Sequence, residues 1–298
     1  MSAGAPKPHF EQVAILGVGL LGGSLGIALQ RRKIADRVIG YGRDAKRLTA
    51  ARQHPEGPVI HEMTTDLSEA VAGADLIICC TPVQHVINLM PQLARAVPPG
   101  ALVTDVGSTK EAIARAARAL TERGADFVGS HPMAGSDRSG VEHASATLYE
   151  GSTTFVTVEA ETPKNRVAEI SGLWRALGSR VVLIHPRRHD HLVANISHLP
   201  HLLAVAAVKT VAEVHEDCNV LRWVIGNGFR DTTRIAQGSV PMWNDICATN
   251  PNAIVEAIDA FGEHLADLRR EIVSSNHRGL GALLEGAREY RAQLENRE

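Results

Sequence analysis

The chain has 298 residues, of which 44% are hydrophobic and 21% are charged. At about 150 residues per domain this length predicts two domains, and the composition excludes a disordered chain or a disulfide-stabilised peptide. The 31 lysines and arginines nearly balance the 33 aspartates and glutamates, which argues against binding to nucleic acid. No apolar stretch reaches about 20 residues and MSAGAPKPHF lacks a signal sequence, so we expect a cytoplasmic protein with no membrane partner.

Short β-branched runs alternate with helical patterns from Gln12 to about His185. These runs are QVAILG, RVIGY, DLIICC, ALVTDV, DFVGS, TFVTV and RVVLI. Such alternation predicts an α/β domain with a mainly parallel, doubly wound sheet covered by helices. Thr162 and Pro163 are expected to cap and open one of these helices, which Gly178 ends. A capping box over residues 108–111 is expected to open another.

The strand pattern stops at Pro186, and the rest of the chain is rich in Ala, Leu, Glu and Arg with helical periodicity. Breaks fall at residues 226–228, at Pro241 and at Pro251. We therefore expect a first domain over residues 1–186 and an all-helical second domain over 187–298, joined through a continuous helix that starts near Arg187. A helical bundle of this size is suited to pairing with a second copy, which predicts a homodimer.

A glycine-rich loop, Gly17-Val18-Gly19-Leu20-Leu21-Gly22, lies between the strand VAIL and an apolar helix. In this context a G-x-G-x-x-G pattern predicts a dinucleotide-binding, Rossmann-type domain. Gly17 permits a tight turn, Gly19 lets the backbone approach a pyrophosphate, and Gly22 lets the helix pack closely on the strand. The helix N-terminus supplies amide donors. Leu20 and Leu21, together with Thr81 and Pro82 after the strand DLIICC, complete the expected cofactor-binding residues on this side.

The second strand indicates which dinucleotide would bind. NAD-binding proteins carry an Asp or Glu about 20 residues beyond the glycine motif, which accepts the ribose 2′-hydroxyl. Here that position is Gly42, followed by Arg43. A guanidinium without a competing carboxylate suits a 2′-phosphate, so NADP is favoured over NAD. The alternative is that Arg43 is solvated and that Asp44, otherwise an N-cap, turns toward the ribose.

Three further clusters carry polar side chains typical of a substrate site. They are DVGSTK at residues 105–110, SHPMAGSDRSG at 130–140, and the pair SHLPH at 197–201 and GFRDTTRIA at 228–236, followed by PMWNDI at 241–246. With these motifs in this order, the chain resembles the prephenate/arogenate (cyclohexadienyl) dehydrogenase family from the glycine loop to about Asn250. The resemblance implies a nicotinamide-dependent oxidative decarboxylation of prephenate to 4-hydroxyphenylpyruvate or of arogenate to tyrosine, in tyrosine biosynthesis.

His131 is the expected base. It follows a predicted strand, and a neutral imidazole can accept the substrate hydroxyl proton at physiological pH; the resemblance assigns the same role to this histidine. A core histidine held by backbone groups is the alternative. Ser108 is a second catalytic candidate, able to hydrogen-bond the same hydroxyl, although its capping position would also explain a serine. Lys110 could add positive potential near the cofactor or the substrate. A solvated lysine in the first helical turn explains it at least as well, so Lys110 is left out of the catalytic set.

The substrate carries two carboxylates, and a guanidinium can grip a carboxylate with two parallel hydrogen bonds. Arg234 is the preferred clamp over Arg230, and the resemblance points to the same arginine. By resemblance His201 binds the substrate side chain, with Ser197 close by, and Trp243 lies close to the partner subunit's site, although packing alone would also explain a tryptophan. The remaining expected contributors to the substrate site are His198, Asp137 and Asp231, the last two as partners of Arg234 in an ionic gate or as ordinary surface charges.

A metal site is not expected. His198 and His201 share a helix face, but no third ligand is evident in the sequence. Cys79, Cys80, Cys218 and Cys247 form no C-x-x-C pair, which predicts reduced thiols. Two other functions stay open at this stage: another two-domain dehydrogenase of the β-hydroxyacid type, and a catalytically inactive NADP-sensing protein.

Overall fold

A six-stranded parallel sheet forms the first part of the chain in the computed structural model, which describes residues 8–135, 138–214 and 218–295. Its strands are β1 (Phe10–Leu16), β2 (Ala35–Tyr41), β3 (Glu62–Thr64), β4 (Leu76–Cys79), β5 (Leu102–Asp105) and β6 (Asp126–Phe127). They lie in the order β3-β2-β1-β4-β5-β6, and every pair is parallel. The predicted doubly wound sheet is confirmed.

Helices cover both faces of this sheet. They are α1 (Leu20–Arg31), α2 (Ala45–Arg52), α3 (Leu67–Val71), α4 (Val83–Ala96) and α5 (Glu111–Thr121). Two separate hydrophobic cores result, one containing α1 and the other containing α4 and α5. The central strands are apolar on both sides, as in Val13 to Leu16, because each face is buried under helices.

The last three strands form a second, smaller sheet, where we expected one mainly parallel sheet. β7 (Ser130–Pro132), β8 (Thr153–Thr157) and β9 (Arg180–Ile184) lie in that order, with β7 antiparallel to β8. The run DFVGS is therefore split between β6 and β7. Alternation along the chain cannot reveal this division, because strands of both sheets bury β-branched side chains in the same way.

The helix between β8 and β9, α6 (Lys164–Ala176), follows the predicted pattern. Its apolar face, formed by Val167, Ile170, Trp174 and Leu177, is buried, and Gly178 follows with a φ of +89°. The expected cap by Thr162 is wrong. The hydroxyl of Thr162 accepts a hydrogen bond from the amide of Glu159, and no side chain caps α6.

Only helices follow Ile184 in the described residues. They are α7 (Pro186–Val193), a π-helical turn (Ala194–His198), α8 (Leu199–Val214), α9 (Cys218–Val224), α10 (Asn227–Thr233), a 3-10 turn (Arg234–Gln237), α11 (Val240–Thr249), α12 (Pro251–Val273) and α13 (His277–Glu295). The strand-to-helix change thus falls where the sequence pattern changes. By contacts the chain divides into two compact units, residues 1–251 and 252–298. The expected domain boundary after Pro186 stays a prediction.

One continuous helical run, Pro186–Glu213, is 28 residues long and apolar enough to cross a bilayer by length and composition, whereas we expected no such stretch. Its first turns carry Arg187, Arg188 and the buried Asp190. The Asp190 carboxylate accepts hydrogen bonds from the first amides of α5. The start of this run is therefore anchored in the folded unit that contains the sheet.

Gly26 tests how closely α1 packs, and Gly262 in another helix serves as its control. A Cβ on Gly26 of α1 would lie 2.1 Å from the carbonyl oxygen of Val59, whereas a Cβ on Gly262 of α12 would meet nothing within 4 Å. We expect Gly26→Ala to lower the free energy of unfolding by about 1–3 kcal/mol. Gly262→Ala should raise it by up to about 1 kcal/mol through helix propensity. Urea denaturation followed by circular dichroism measures both, and equal effects would contradict the packing described here.

Candidate active site

The glycine loop joins the end of β1 to the start of α1. Gly17 has a φ of +105°, and a Cβ at this position would lie 2.7 Å from Cγ2 of Thr81. A Cβ on Gly22 would lie 2.1 Å from the carbonyl oxygen of Gly17. Gly19 precedes α1 with no side-chain cap and open space where its Cβ would be. The loop therefore leaves the first amides of α1 accessible beside a surface that only glycine permits.

Thr81 gives an independent indication of a ligand at this loop. It follows β4, and its hydroxyl oxygen is buried without a hydrogen-bond partner among the described residues. A buried polar group without a partner is costly unless a ligand or water satisfies it. Pro82 then precedes α4 and does not cap it with its own side chain. The loop, Thr81 and the uncapped start of α1, where Leu20 and Leu21 lie, fit a dinucleotide pyrophosphate.

The end of β2 carries the residues expected to contact the ribose. Gly42 is partly buried against Leu48, and Arg43 is exposed. The Asp44 carboxylate accepts a hydrogen bond of 2.9 Å from the amide of Lys46 at the start of α2. Asp44 thus caps α2, and an exposed guanidinium stands next to it.

A buried ion pair lies at the end of β5. Asp105 pairs in register with Cys79 of β4, and it is fully buried. Its carboxylate accepts hydrogen bonds from Lys110 Nζ, from the amide of Gly107 at 2.7 Å and from the amide of Ser130 at 3.1 Å. Lys110 Nζ also donates to the carbonyl oxygen of Ser130 at 2.7 Å. The pair therefore holds both backbone groups of Ser130.

The side chain of Ser130 is held as well. Its Oγ lies 3.0 Å from the indole nitrogen of Trp174, which donates to it, and 2.9 Å from the hydroxyl of Thr104. All three residues are fully buried. Ser130 is the residue before His131, so this network sets the position of the candidate base from behind.

His131 lies in β7 and is partly exposed to solvent. Its Nδ1 is 2.9 Å from Nε2 of His189. The Nδ1 of His189 is in turn 2.8 Å from an oxygen of Asp190. Within the described residues, Nε2 of His131 has no hydrogen-bond partner, so this nitrogen is available to a ligand.

Asp190 also caps α5. Its carboxylate accepts hydrogen bonds from the amides of Lys110 at 2.7 Å and Glu111 at 2.9 Å. The predicted capping box at residues 108–111 is therefore wrong, because no side chain of that segment caps the helix. A carboxylate 80 residues further along the chain replaces the expected Ser108 cap. Ser108 itself is partly exposed next to Gly107, so a role as a cap no longer explains it.

The imidazoles of this cluster are kept neutral. Burial lowers the pKa of His131 well below its ordinary value, and the nearby His189 and Lys110 lower it further. Burial also lowers the pKa of His189, against the opposing effect of the Asp190 carboxylate. Burial lowers the pKa of His198 to about 4. A neutral imidazole at the position of His131 can accept a proton near pH 7.

A second group of side chains lies on α8 and α11. The rings of His201 and Trp243 are stacked with centroids 3.5 Å apart, and His198 meets the same indole edge-on at 6.0 Å. His198 and His201 therefore share one face, as their spacing predicts. Asn250 connects this group to the first, because its amide donates to the Asp190 carbonyl oxygen at 2.8 Å and lies 3.5 Å from His198 Nδ1.

The other expected substrate residues lie around this group. Ser197 is partly buried in the π-helical turn. Arg234 is exposed at the start of the 3-10 turn, next to Ile235, whose backbone hydrogen-bonds His201. Asp231 is exposed in α10, and in the described part of the chain no ion pair joins it to Arg234. Asp137 lies outside the described residues. Arg230 is exposed and donates to the carbonyl oxygen of Ile225.

Helix α11 also contacts the cofactor side of the site. Its Asp245 carboxylate accepts a hydrogen bond of 3.3 Å from the amide of Gln84 in the first turn of α4. One turn later, the hydroxyls of Thr249 and Thr109 lie 2.8 Å apart. The helix that carries Trp243 is thus docked on both the segment after Thr81 and the DVGSTK loop.

Sequence reasoning missed five residues of this cluster, namely Asp105, Lys110, His189, Asp190 and Asn250. A solvated first-turn lysine is the expectation for Lys110, but its side chain is 1% exposed. The acidic-basic spacing within DVGSTK and the adjacent His-Asp pair after Pro186 were the available signals. Among the described residues no three His, Cys, Asp or Glu side chains lie together as in a metal site.

Comparison with known proteins gives the same family for both parts of the chain. The family model described as prephenate dehydrogenase, nucleotide-binding domain, matches residues 25–183, and the model described as prephenate dehydrogenase, dimerization domain, matches residues 185–286. A prephenate dehydrogenase of Bacillus subtilis is 30% identical over 95% of this chain and 76% of its own length. A cyclohexadienyl dehydrogenase of Zymomonas mobilis is 30% identical over 90% of each chain.

A solved structure is similar over the whole chain. The crystal structure of prephenate dehydrogenase from A. aeolicus in complex with hydroxyphenyl propionate and NAD+ superimposes with a TM-score of 0.88 at 30% identity. The match covers 99% of this chain and 100% of that one. The parallel sheet followed by helices is therefore shared with that protein.

The buried Asp105–Lys110 pair yields a stability prediction. Lys110→Met removes the cation and leaves the Asp105 carboxylate buried without its counter-charge, so we expect a loss of about 3–5 kcal/mol in the free energy of unfolding. Arg288→Met breaks an exposed ion pair with Glu285 and should change stability little. Urea denaturation of the two variants provides the comparison. A Lys110→Met variant as stable as Arg288→Met would contradict the role given to this pair.

Proposed function

Because the chain belongs to the prephenate dehydrogenase family, we propose that it catalyses the oxidative decarboxylation of prephenate, arogenate or both in tyrosine biosynthesis. The observation that carries the proposal is the environment of His131. Its imidazole is neutral, its Nε2 has no partner among the described residues, and a buried network holds it from behind. Ser130, the preceding residue, bonds to the end of β5, which adjoins the β4 end leading to Thr81.

The reaction has three parts: hydride transfer, removal of the hydroxyl proton and decarboxylation. A bound nicotinamide supplies the acceptor for the hydride that leaves the carbinol carbon. His131 Nε2 takes the hydroxyl proton, so that a carbonyl replaces the alcohol instead of an electron-poor cation. The ring carboxylate then leaves as carbon dioxide, its bonding electrons complete the aromatic ring, and the former carbonyl oxygen takes back a proton to become the hydroxyl of the product. We assign Ser108 to a hydrogen bond with the same hydroxyl, because it lies on the loop that holds Ser130 and caps no helix.

Substrate binding is assigned to the α8, α10 and α11 side of the site. Arg234 is exposed, and the next residue, Ile235, hydrogen-bonds His201 through its backbone, so the backbone of Arg234 lies close to the residue that stacks on Trp243. A carboxylate in this place can be gripped with two hydrogen bonds. Ser197, His198 and Asp231 are proposed as further contributors, as is Asp137 from its motif.

The choice between prephenate and arogenate depends on whether the site recognises a keto group or an ammonium group on the substrate side chain. The relatives include a prephenate dehydrogenase and a cyclohexadienyl dehydrogenase. We therefore propose prephenate and arogenate as the two candidate substrates. Family membership removes a β-hydroxyacid dehydrogenase as an alternative, whereas an inactive NADP-sensing protein is excluded only by turnover.

We propose NADP as the preferred cofactor. Gly42 stands where an acidic residue would accept a ribose hydroxyl, and Arg43 is exposed beside it. Asp44, the one nearby alternative, is engaged at the start of α2. The A. aeolicus relative was solved with NAD+, so the preference is a feature of this chain's own residues.

A homodimer is also proposed. The family model matching residues 185–286 is described as a dimerization domain. Helix α9 exposes Val220, Trp223 and Val224, with Trp223 89% exposed. Helix α13 separately exposes Leu283, Leu284 and Tyr290. Contiguous exposed apolar side chains mark surfaces that a partner covers.

Turnover and its dependence on two residues test the proposed reaction. We expect reduction of the nicotinamide, followed at 340 nm, with prephenate or arogenate. His131→Asn should lower kcat by about a hundredfold or more, because the proton acceptor is lost. Arg234→Gln should chiefly raise KM, by about tenfold, because it removes ground-state binding. The exposed His143→Asn is the matched control. Absence of turnover with prephenate and with arogenate, each combined with NAD and with NADP, would contradict the proposed reaction.

The same assay yields a pH profile. The base is active only when neutral, and its pKa is lowered, so we expect the acid limb of kcat/KM to lie below the ordinary histidine value of about 6.5. The groups that face His131 or its partner are His189, Asp190, Lys110, Asp105 and His198. An acid limb above pH 7 would contradict a base whose pKa is lowered by its surroundings.

Cofactor preference is tested at Arg43. Arg43→Ala should weaken NADP binding by about tenfold and leave NAD binding nearly unchanged, because only NADP carries the 2′-phosphate. Fluorescence titration of both cofactors measures the two dissociation constants. Lys46→Ala, on the same short helix, is the control for a general loss of positive charge. An unchanged preference in Arg43→Ala would remove the argument for NADP.

A further inference from the structure

His131, His189 and Asp190 form a continuous chain of hydrogen bonds that the reaction itself does not require. Nδ1 of His131 lies 2.9 Å from Nε2 of His189, and Nδ1 of His189 lies 2.8 Å from Oδ1 of Asp190. His189 and Asp190 are almost fully buried, at 0% and 1% exposure. The backbone amides of Lys110 and Glu111, at the start of α5, bind the same carboxylate. The chain therefore ends on a carboxylate that is fixed at several points.

The end of this chain decides where the protons lie. A carboxylate that already receives two amide hydrogen bonds is ionised and only accepts, so Nδ1 of His189 must carry a proton and donate it. Burial keeps His189 neutral, so its Nε2 carries no proton and accepts. The facing Nδ1 of His131 is then the donor. The one proton of neutral His131 is thereby assigned to Nδ1, and its Nε2 is a free acceptor.

The opposite assignment fails on the same geometry. If Nε2 of His189 donated to His131, the unprotonated Nδ1 of His189 would face an oxygen of Asp190 at 2.8 Å, with lone pairs on both atoms. This lone-pair repulsion could be removed only by protonating the buried His189 ring to an imidazolium or by protonating Asp190. Neither is compatible with a desolvated ring beside the Lys110 cation and with a carboxylate held by helix amides.

Aromatic contacts fix the orientation of the rings. The rings of Phe155 and His189 meet edge-on, with centroids 5.2 Å apart and an interplanar angle of 80°. His131 meets His189 in the same manner, at 5.1 Å and 69°. These contacts fix the planes of the two rings. The hydrogen bonds to Asp190, and not the packing, decide which nitrogens carry the protons.

We propose that His189 and Asp190 are positioning residues that hold His131 in the tautomer with an unprotonated Nε2 and share the positive charge it gains. The proposal rests on the function proposed above. When the substrate O–H bond breaks, the proton binds to Nε2 of His131 and the imidazolium keeps its Nδ1 proton. That proton strengthens its hydrogen bond to His189, which is polarised by Asp190. Asp190 stays ionised throughout.

The tautomer is measured directly by ¹⁵N NMR of histidine-labelled protein without substrate. Comparison with His131→Asn assigns the His131 signals. We expect a protonated Nδ1 and an unprotonated Nε2 for His131 in the wild-type chain. In His189→Asn, whose shorter amide does not reach His131, the Nε2-protonated form should appear. A wild-type His131 protonated on Nε2 would overturn the proposal, whatever the activity.

Kinetics of three variants provide the second measurement. His189→Asn should lower kcat by about a hundredfold and change KM by less than about threefold. His189→Gln places an acceptor near the lost Nε2 and should recover at least about tenfold of that loss. Asp190→Asn keeps a side chain that can cap α5 but removes the charge, so kcat should fall here too. His143→Asn remains the control. Melting temperatures of all variants identify any loss of folding.

The outcomes separate the two proposals. If the wild type turns over and His189→Asn and His143→Asn have equal kcat, the positioning role of His189 and Asp190 is overturned and the proposed function is unaffected. A loss in His189→Asn that His189→Gln does not relieve, with an unchanged His131 tautomer, would make His189 a structural residue and would also overturn it. Absence of wild-type turnover would count against the proposed function. The His131 tautomer measured in the same sample would still test the positioning role of His189 and Asp190.

Discussion

The carboxylate of Asp190 is the contact on which the site depends. It accepts two amides of α5 and the ring of His189, and the Asp190 backbone carbonyl accepts the amide of Asn250. Because a buried carboxylate must have its hydrogen bonds satisfied, α5, α7 and the end of α11 are held at fixed positions around it. Three segments far apart in the chain thus meet at Asp190, and His189 links that residue to the imidazole of His131.

Lys110 links this contact to a second buried network. Its backbone amide binds Asp190, while its side chain binds Asp105 and the carbonyl oxygen of Ser130. One residue therefore ties the start of α5 to the end of β5 and to the strand that carries His131. Such a doubly anchored loop leaves little freedom to the candidate base, which is what a preorganised site requires.

The proposed base and the proposed carboxylate clamp lie in contrasting environments. Burial keeps the cluster of His131, His189 and His198 neutral, so proton acceptance is available near pH 7. Arg234 is exposed, so its charge carries no large desolvation cost and can meet an incoming anion. His201 and Trp243, which are stacked on each other, belong to the group of side chains that Asn250 connects to the buried cluster.

The sequence alone determined the parallel sheet, the glycine loop, the helical second half and the family, because each of these depends on patterns within one strand, turn or motif. It also identified His131 and Arg234 as candidates from their residue type and motif. Only the tertiary structure decided that Asp190 and not Ser108 caps α5, that Lys110 is buried, and that His189 meets His131. Those contacts join residues 80, 20 and 58 positions apart. A buried polar group takes whichever partner packing brings within hydrogen-bond distance, and local periodicity carries no information about that choice.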